Sequence, residues 1–234
     1  MDFESALRSG TLLRRYKRFL ADIVTESGEH LTIHCPNPGA MSGCADAGSR
    51  VWYSQSHNAA RKYPCTLEIV ESLQGDLVGV NPARANSIVA EAIRAGRIAR
   101  MTDVSIHREV PIPGERGRFD FRLEAPGDGA HFVEVKSVTW ARADELGAFP
   151  DAKSERALRH VIALQRMREA GHRASMLFCV QHSGVTHMTI ADDVDPEYGV
   201  AVRAALRAGI EVTAYRTAVT PRSLVLVDEI PVEL

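Results

Sequence analysis

R-F-D-F-R-L, residues 118–123, and H-F-V-E-V-K-S-V-T, residues 131–139, decide how this chain reads. Both are rich in aromatic and β-branched residues, and E-A-P-G-D-G-A between them carries turn chemistry, so they predict a hairpin of adjacent strands. Asp120 lies in the first strand, and Glu134 and Lys136 in the second. A two-residue step on a strand returns a side chain to the same face, so Glu134 and Lys136 point together. Strict alternation also puts Phe119 and Phe121 on the face opposite Asp120. Two carboxylates and an amine in one pocket suit Mg²⁺ or Mn²⁺, held through oxygen, and a water oriented for attack on a phosphodiester.

Downstream, Ser154 to Ala170 reads as the longest helix, capped by Ser154 and stopped by Gly171, with Leu158, Val161, Ile162, Leu164 and Met167 as its buried stripe. A strand over 174–181 follows, then a helix opened by Pro196 and ended by Gly209, then strands at 210–215 and 224–227. Upstream, Ile88, Val89, Ala92 and Ile93 recur at helical spacing before Gly96, and a strand is expected over 104–110. Helix, three meandering strands, helix, strand, helix, strand implies an α/β domain with a mixed sheet and helices on both faces.

Before Val80 the pattern changes to short strands broken by Gly, Pro, Asn or Asp: R-Y-K-R-F-L-A-D-I-V, H-L-T-I-H-C, G-S-R-V-W-Y-S, C-T-L-E-I-V-E-S and D-L-V-G-V. Five such strands fit a small barrel of OB type, a form that often binds single strands or bent duplex. The change in periodicity near 81–86 divides the chain into residues 1–84 and 85–234.

The chain's 234 residues and 45% apolar content allow sizeable cores. A net charge of −2 excludes a uniformly basic coat, so polyanion binding must come from local patches. Arg14, Arg15, Lys17 and Arg18 form one, interleaved with Tyr16 and Phe19; Arg61 and Lys62 form another beside Tyr63. The first reads equally as a charged strand edge. No apolar run approaches a membrane span, and no secretory core precedes the four cysteines, which lack metal-site spacing; a soluble protein in a reduced cytoplasm is expected.

Further strings narrow the reading: T-L-L-R-R-Y-K-R-F-L-A-D, H-C-P-N-P-G-A-M-S-G-C, V-W-Y-S, R-K-Y-P, G-V-N-P-A-R-A-N, R-F-D-F, F-V-E-V-K-S-V-T and F-P-D-A-K-S-E-R-A-L-R-H. Together they closely resemble the sugar fermentation stimulation protein A (SfsA) family, and the order of elements around Asp120 and E-x-K resembles the PD-(D/E)xK nuclease superfamily. The resemblance implies an N-terminal OB-type barrel, a nuclease-like α/β domain, non-specific DNA binding, a link to the regulation of sugar metabolism, notably maltose, and a site at Asp120, Glu134 and Lys136. Pro38 departs from the family, which more often has Thr there.

Other candidates stand beside bland readings. Asp120 can instead pair with Arg118 or Arg122 at the surface. Glu91 is a further metal carboxylate or a solvent-facing helix residue. Arg156 and His160, at i and i+4, share a face suited to phosphate or to solvent. Asn37 and Gly39 sit in a loop whose backbone can approach a phosphate closely, or which is a plain connection. DNA, single- or double-stranded, is the expected partner.

Overall fold

The computed structural model describes residues 1–127 and 129–234; Asp128, in the expected turn E-A-P-G-D-G-A, lies outside the described residues. The N-terminal strands are β1 (Arg8–Tyr16), β2 (Leu20–Thr25), β3 (His30–His34), β4 (Arg50–Gln55), β5 (Cys65–Glu71) and β6 (Leu77–Gly79). Strand β1 pairs with β2 and β4, β2 with β3, β4 with β5, and a parallel β3–β5 contact at His34 and Thr66 closes a five-stranded barrel. Leu12, Ile23, Ile33, Val51, Leu67 and Val70 fill it, and Cys35 and Cys44 are packed within the same core.

The expected barrel is present, but its strands differ from those predicted. R-Y-K-R-F-L-A-D-I-V is two strands, because Lys17 and Arg18 take left-handed backbone (φ 50° and 62°) and reverse the chain. Neither is Gly or Asn, so no ordinary turn signal marks the reversal. D-L-V-G-V becomes β6, which lies on β5 at the edge rather than completing the ring.

A 3-10 turn (Pro82–Arg84) leads into α1 (Ala85–Arg94). There follow β7 (Ser105–Pro111), β8 (Arg118–Glu124), β9 (His131–Val138), β10 (Trp140–Ala141), β11 (Leu146–Phe149), α2 (Glu155–Glu169), β12 (Arg173–Val180), β13 (His187–Ile190), α3 (Pro196–Arg207), β14 (Glu211–Val219), β15 (Leu224–Ile230) and β16 (Val232–Glu233). The larger sheet runs β15-β14-β12-β9-β8-β7, with β9, β12 and β14 parallel and the flanking pairs antiparallel. Each of its strands matches a predicted one. Val133, Val135, Leu177 and Cys179 pack toward α1, while Phe132, Met176 and Phe178 pack toward α2 and α3.

A smaller sheet, β10-β11-β13-β16, was not anticipated. Its strands are two to four residues long; β10–β11 is a short antiparallel pair, and β11–β13 and β13–β16 pair in parallel with segments far along the chain, so no local alternation announces them. The stripe of α2 also differs. Ala157, His160, Val161, Ala163, Leu164 and Met167 are buried, whereas Ile162 is exposed. A histidine therefore occupies an inward position of this helix.

Backbone bonds join the barrel to the larger unit: Gly79 N–H donates to Gln181 O (2.8 Å) and Ser183 N–H to Leu77 O (3.0 Å). At the same junction Glu68, 1% exposed, accepts from Ser54 (2.7 Å), from Asn81 (3.0 Å) and twice from Arg84 (3.0 and 2.6 Å). A buried carboxylate needs such satisfaction, and removing its cation leaves an uncompensated charge. Arg84→Ala is expected to cost about 3 kcal/mol, read as a lower urea midpoint at unchanged denaturant slope; an unchanged midpoint refutes the brace.

Candidate functional site

The β8–β9 ladder runs from Leu123↔His131 to Phe121↔Val133 and stops there. Beyond it the Asp120 carboxylate accepts the Val135 N–H (2.7 Å) through one oxygen and the Asn86 side-chain amide (2.7 Å), from α1, through the other. A side chain thus takes the place of a strand carbonyl. Glu109, opposite in β7, has φ 52°, and the β7–β8 register passes from Arg108↔Phe121 to Val110↔Phe119. Although that register is unbroken, Phe119 and Phe121 enter different cores. The expectation that both lie opposite Asp120 fails, since it assumed unbroken alternation.

Glu134 and Lys136 do share a face, on the side toward α2. Lys136 Nζ donates to Glu134 Oε1 (2.6 Å), and His160 Nδ1, from α2, bonds the same oxygen. Glu134 Oε2 is buried with no partner among the described residues. Asp120, Glu134 and Lys136 line one cavity of about 580 Å³, together with Asn86, Trp140 and Arg156. The barrel contributes Arg18 and the loop Asn37–Gly39 to its wall.

Burial, and then the neighbouring charge of Glu134, push the Asp120 carboxyl up to about 6; the Val135 N–H, Asn86 and Lys136 oppose that rise. Burial also acts to raise Glu134, but Lys136 and His160 outweigh it, so Glu134 lies below the ordinary glutamate value. Two carboxylates with environments that separate their proton affinities are a common signature of functional sites. An orphaned carboxylate oxygen beside a second carboxylate fits a hard, oxygen-seeking cation that keeps part of its water shell. Among the described residues no group of three or more His, Cys, Asp or Glu converges, so a closed cage of side chains is not available.

The other predicted residues divide. Glu91 accepts from the Met1 amino group (2.7 Å) and faces Arg97 (3.7 Å), away from the cavity. It lies five positions past Asn86, which turns it well round the helix from the residue that does reach Asp120. The metal expectation for Glu91 is therefore corrected. His160 is 4% exposed and holds Glu134, so a phosphate contact by His160 is corrected too; only Arg156 of that pair is exposed and lines the cavity.

Arg15 donates to the carbonyls of Asn37 (2.8 Å), Gly39 (2.8 Å) and Ala40 (3.3 Å), so its guanidinium is engaged by the loop rather than free to track a polyanion. Asn37 Oδ1 accepts the Gly39 N–H (2.8 Å) and is likewise internal. The close approach expected at Gly39 exists, but the visitor is Asp151: a Cβ at Gly39 would lie 2.2 Å from its carboxylate, which also accepts the Met41 N–H (3.3 Å). Arg14 pairs with Asp22 (2.8 Å) over the Tyr16 ring. Arg61 donates to Thr66 (3.1 Å), and Lys62 lies over Tyr63. Lys17 and Arg18 are exposed at the hairpin tip. Asn86 and Trp140 were missed. Asn86 stands in G-V-N-P-A-R-A-N, where the string itself was the only signal.

Family models match two segments: the SfsA N-terminal OB domain over residues 13–80 and the sugar fermentation stimulation protein RE domain over 83–223. A sugar fermentation stimulation protein homolog of Pseudomonas aeruginosa (strain LESB58) is 49% identical over 236 residues, covering 100% of both chains. One from Teredinibacter turnerae is 47% identical over 234 residues, again covering 100% of both. Among solved structures, that of Pyrococcus furiosus SfsA in complex with Ca²⁺ matches with a TM-score of 0.87 at 23% identity, covering 100% of this chain and 98% of that one.

The raised Asp120 value has a sign that can be tested. Between the ordinary 3.8 and about 6 the folded chain holds a proton that the unfolded chain has released, so stability falls as pH rises through that window. Asp120→Asn is expected to abolish this fall and to stabilise the chain by on the order of 2 kcal/mol at pH 7, with little change at pH 4. Thermal melts across pH 4–8 measure it; parallel profiles for the two proteins refute it.

Proposed function

The chain belongs to the sugar fermentation stimulation protein family, and from that premise we propose a DNA-binding protein whose recessed carboxylate pair, with Mg²⁺ or Mn²⁺ bound, hydrolyses phosphodiesters. The observation that carries this assignment is the orphaned Glu134 Oε2 beside Asp120 and the Lys136 ammonium, all on one cavity wall. Asp120 and Glu134 would hold the cation, which supplies charge neutralisation at the phosphate and a more acidic water.

The protein's own groups have separate tasks. Asn86 and the Val135 N–H fix the Asp120 carboxylate, and His160 fixes Glu134 Oε1, which leaves Oε2 as the oxygen available to a cation. Lys136 is placed to orient the attacking water and to stabilise negative charge as the water oxygen bonds phosphorus and the ester P–O bond breaks. In this proposal residues 85–234 carry the chemistry and residues 1–84 help track the backbone, with Lys17, Arg18 and Arg156 as exposed phosphate contacts. Four free, buried thiols suit the reduced cytoplasm included in the same proposal.

Titration calorimetry of Mn²⁺ is expected to show binding that Glu134→Ala weakens by at least the roughly 10- to 100-fold typical of losing an outer-shell partner. Plasmid cleavage with Mg²⁺ or Mn²⁺ should disappear in the same variant. Cleavage that persists unchanged in Glu134→Ala assigns it to a contaminant and sinks the catalytic role.

A second reading, a non-catalytic DNA-binding regulator of sugar (maltose) metabolism, is favoured by one feature: Glu134 Oε1 is already neutralised from within by Lys136 and His160. It predicts DNA retention that survives EDTA and Asp120→Ala but weakens, with a shallower salt dependence, in Arg18→Ala.

A further inference from the structure

We infer that the cavity takes a single nucleic-acid strand rather than an intact duplex, with Trp140 as the platform on which a base stacks; this rests on the phosphodiester reading above and names its substrate class. Depth is the first support. Glu134 and Lys136, 3% and 9% exposed, line a cavity whose wall also includes Arg18 and the Asn37–Gly39 loop of the barrel. That loop is tied down by three carbonyl bonds from Arg15 and by the Met41–Asp151 contact, so this part of the wall is fixed. Phosphates of a duplex follow a convex ridge with the partner strand alongside, and a buried carboxylate pair in a cavity walled by both units is better reached by a strand free of its partner.

The second support is chemical. Trp140 is half-buried and lines the same cavity, an aromatic surface that phosphate coordination does not need. Arg142 covers the indole, 4.3 Å from its centroid, and is itself pinned by Asp193 (2.6 Å), so the ring is pre-oriented. Stacking on a fixed aromatic tolerates any base, as non-specific strand binding requires. At the mouth, Arg18 and Arg156 are exposed and have no ion-pair partner among the described residues, and Phe19, 47% exposed, follows Arg18 on the hairpin tip. Cations interleaved with aromatics, leading to a cavity with its own aromatic wall, form a path for one strand.

Fluorescence anisotropy on the full chain in EDTA, with labelled 15-nucleotide DNA, RNA of the same sequence and the blunt DNA duplex, tests this. The single strand is expected to bind at least tenfold more tightly than the duplex; Trp140→Ala should lower single-strand affinity by about tenfold, and Trp140→Phe should largely keep it. Comparison of the DNA and RNA strands identifies the sugar, and tight binding of either supports the inference. Equal affinity for single strand and duplex, or selectivity untouched in Trp140→Ala, overturns it. Should Trp140→Ala fold poorly, intrinsic fluorescence decides: the oligonucleotide should quench wild-type emission but not that of Trp140→Phe, which retains only Trp52, and quenching in both overturns the stacking role. Because no metal is present, strand preference and hydrolysis fail independently; an enzyme that cleaves but binds both forms equally refutes only this inference.

Discussion

The hydrogen bond from the Val135 N–H to the Asp120 carboxylate marks where β8 and β9 part company within the central sheet. Up to Phe121↔Val133 the backbones of β8 and β9 pair with each other, and past that point a carboxylate does the pairing. A buried N–H must find an acceptor, and supplying it from a side chain lets the strands part without leaving that donor unsatisfied. On that side of β9, which stays paired with β12, Glu134 and Lys136 line a cavity. Asn86 completes the arrangement from α1, which is why the helix that follows the barrel belongs to the site as much as to the core.

The electrostatics follow from that arrangement. Two carboxylates near one another in a poorly hydrated place cannot both be comfortable as anions, and the protein distributes the discomfort unequally. Glu134 is given direct bonds from an ammonium and an imidazole, whereas Asp120 has two amide donors and feels the Lys136 charge only without a bond to it, so it keeps its proton more readily. Lys136 and His160 thus hold Glu134 ready as an anion while leaving one of its oxygens without a partner among the described residues.

The barrel does more than precede the α/β unit. Strand β6 bonds to the chain after β12, Arg84 and Glu68 lock the junction, and the Asn37–Gly39 loop abuts Asp151. Gly39 has no side chain because a carboxylate occupies the place of its Cβ. Joined in this way, the two units make the cavity between them, and neither alone would enclose it.

Much of this was legible in order and composition. Period-2 runs bounded by turn residues identified the strands of the larger sheet, helical spacing and the Ser154 and Pro196 starts identified the helices, and the D…E-x-K grouping identified Asp120, Glu134 and Lys136 as cavity partners. Local periodicity suffices where one strand or helix determines the face of its own side chains. Tertiary structure alone decided the rest. The reversal at Lys17 and Arg18 carries no turn residue to mark it. The parallel pairings of the small sheet, the parting of Phe119 from Phe121, the choice of Asn86 over Glu91, and the inward turn of His160 each depend on a residue distant in the chain. The physical reason is common to these four: such positions are set by which buried polar group needs a partner or which backbone needs a neighbour, and that is known only once the chain has folded back upon itself.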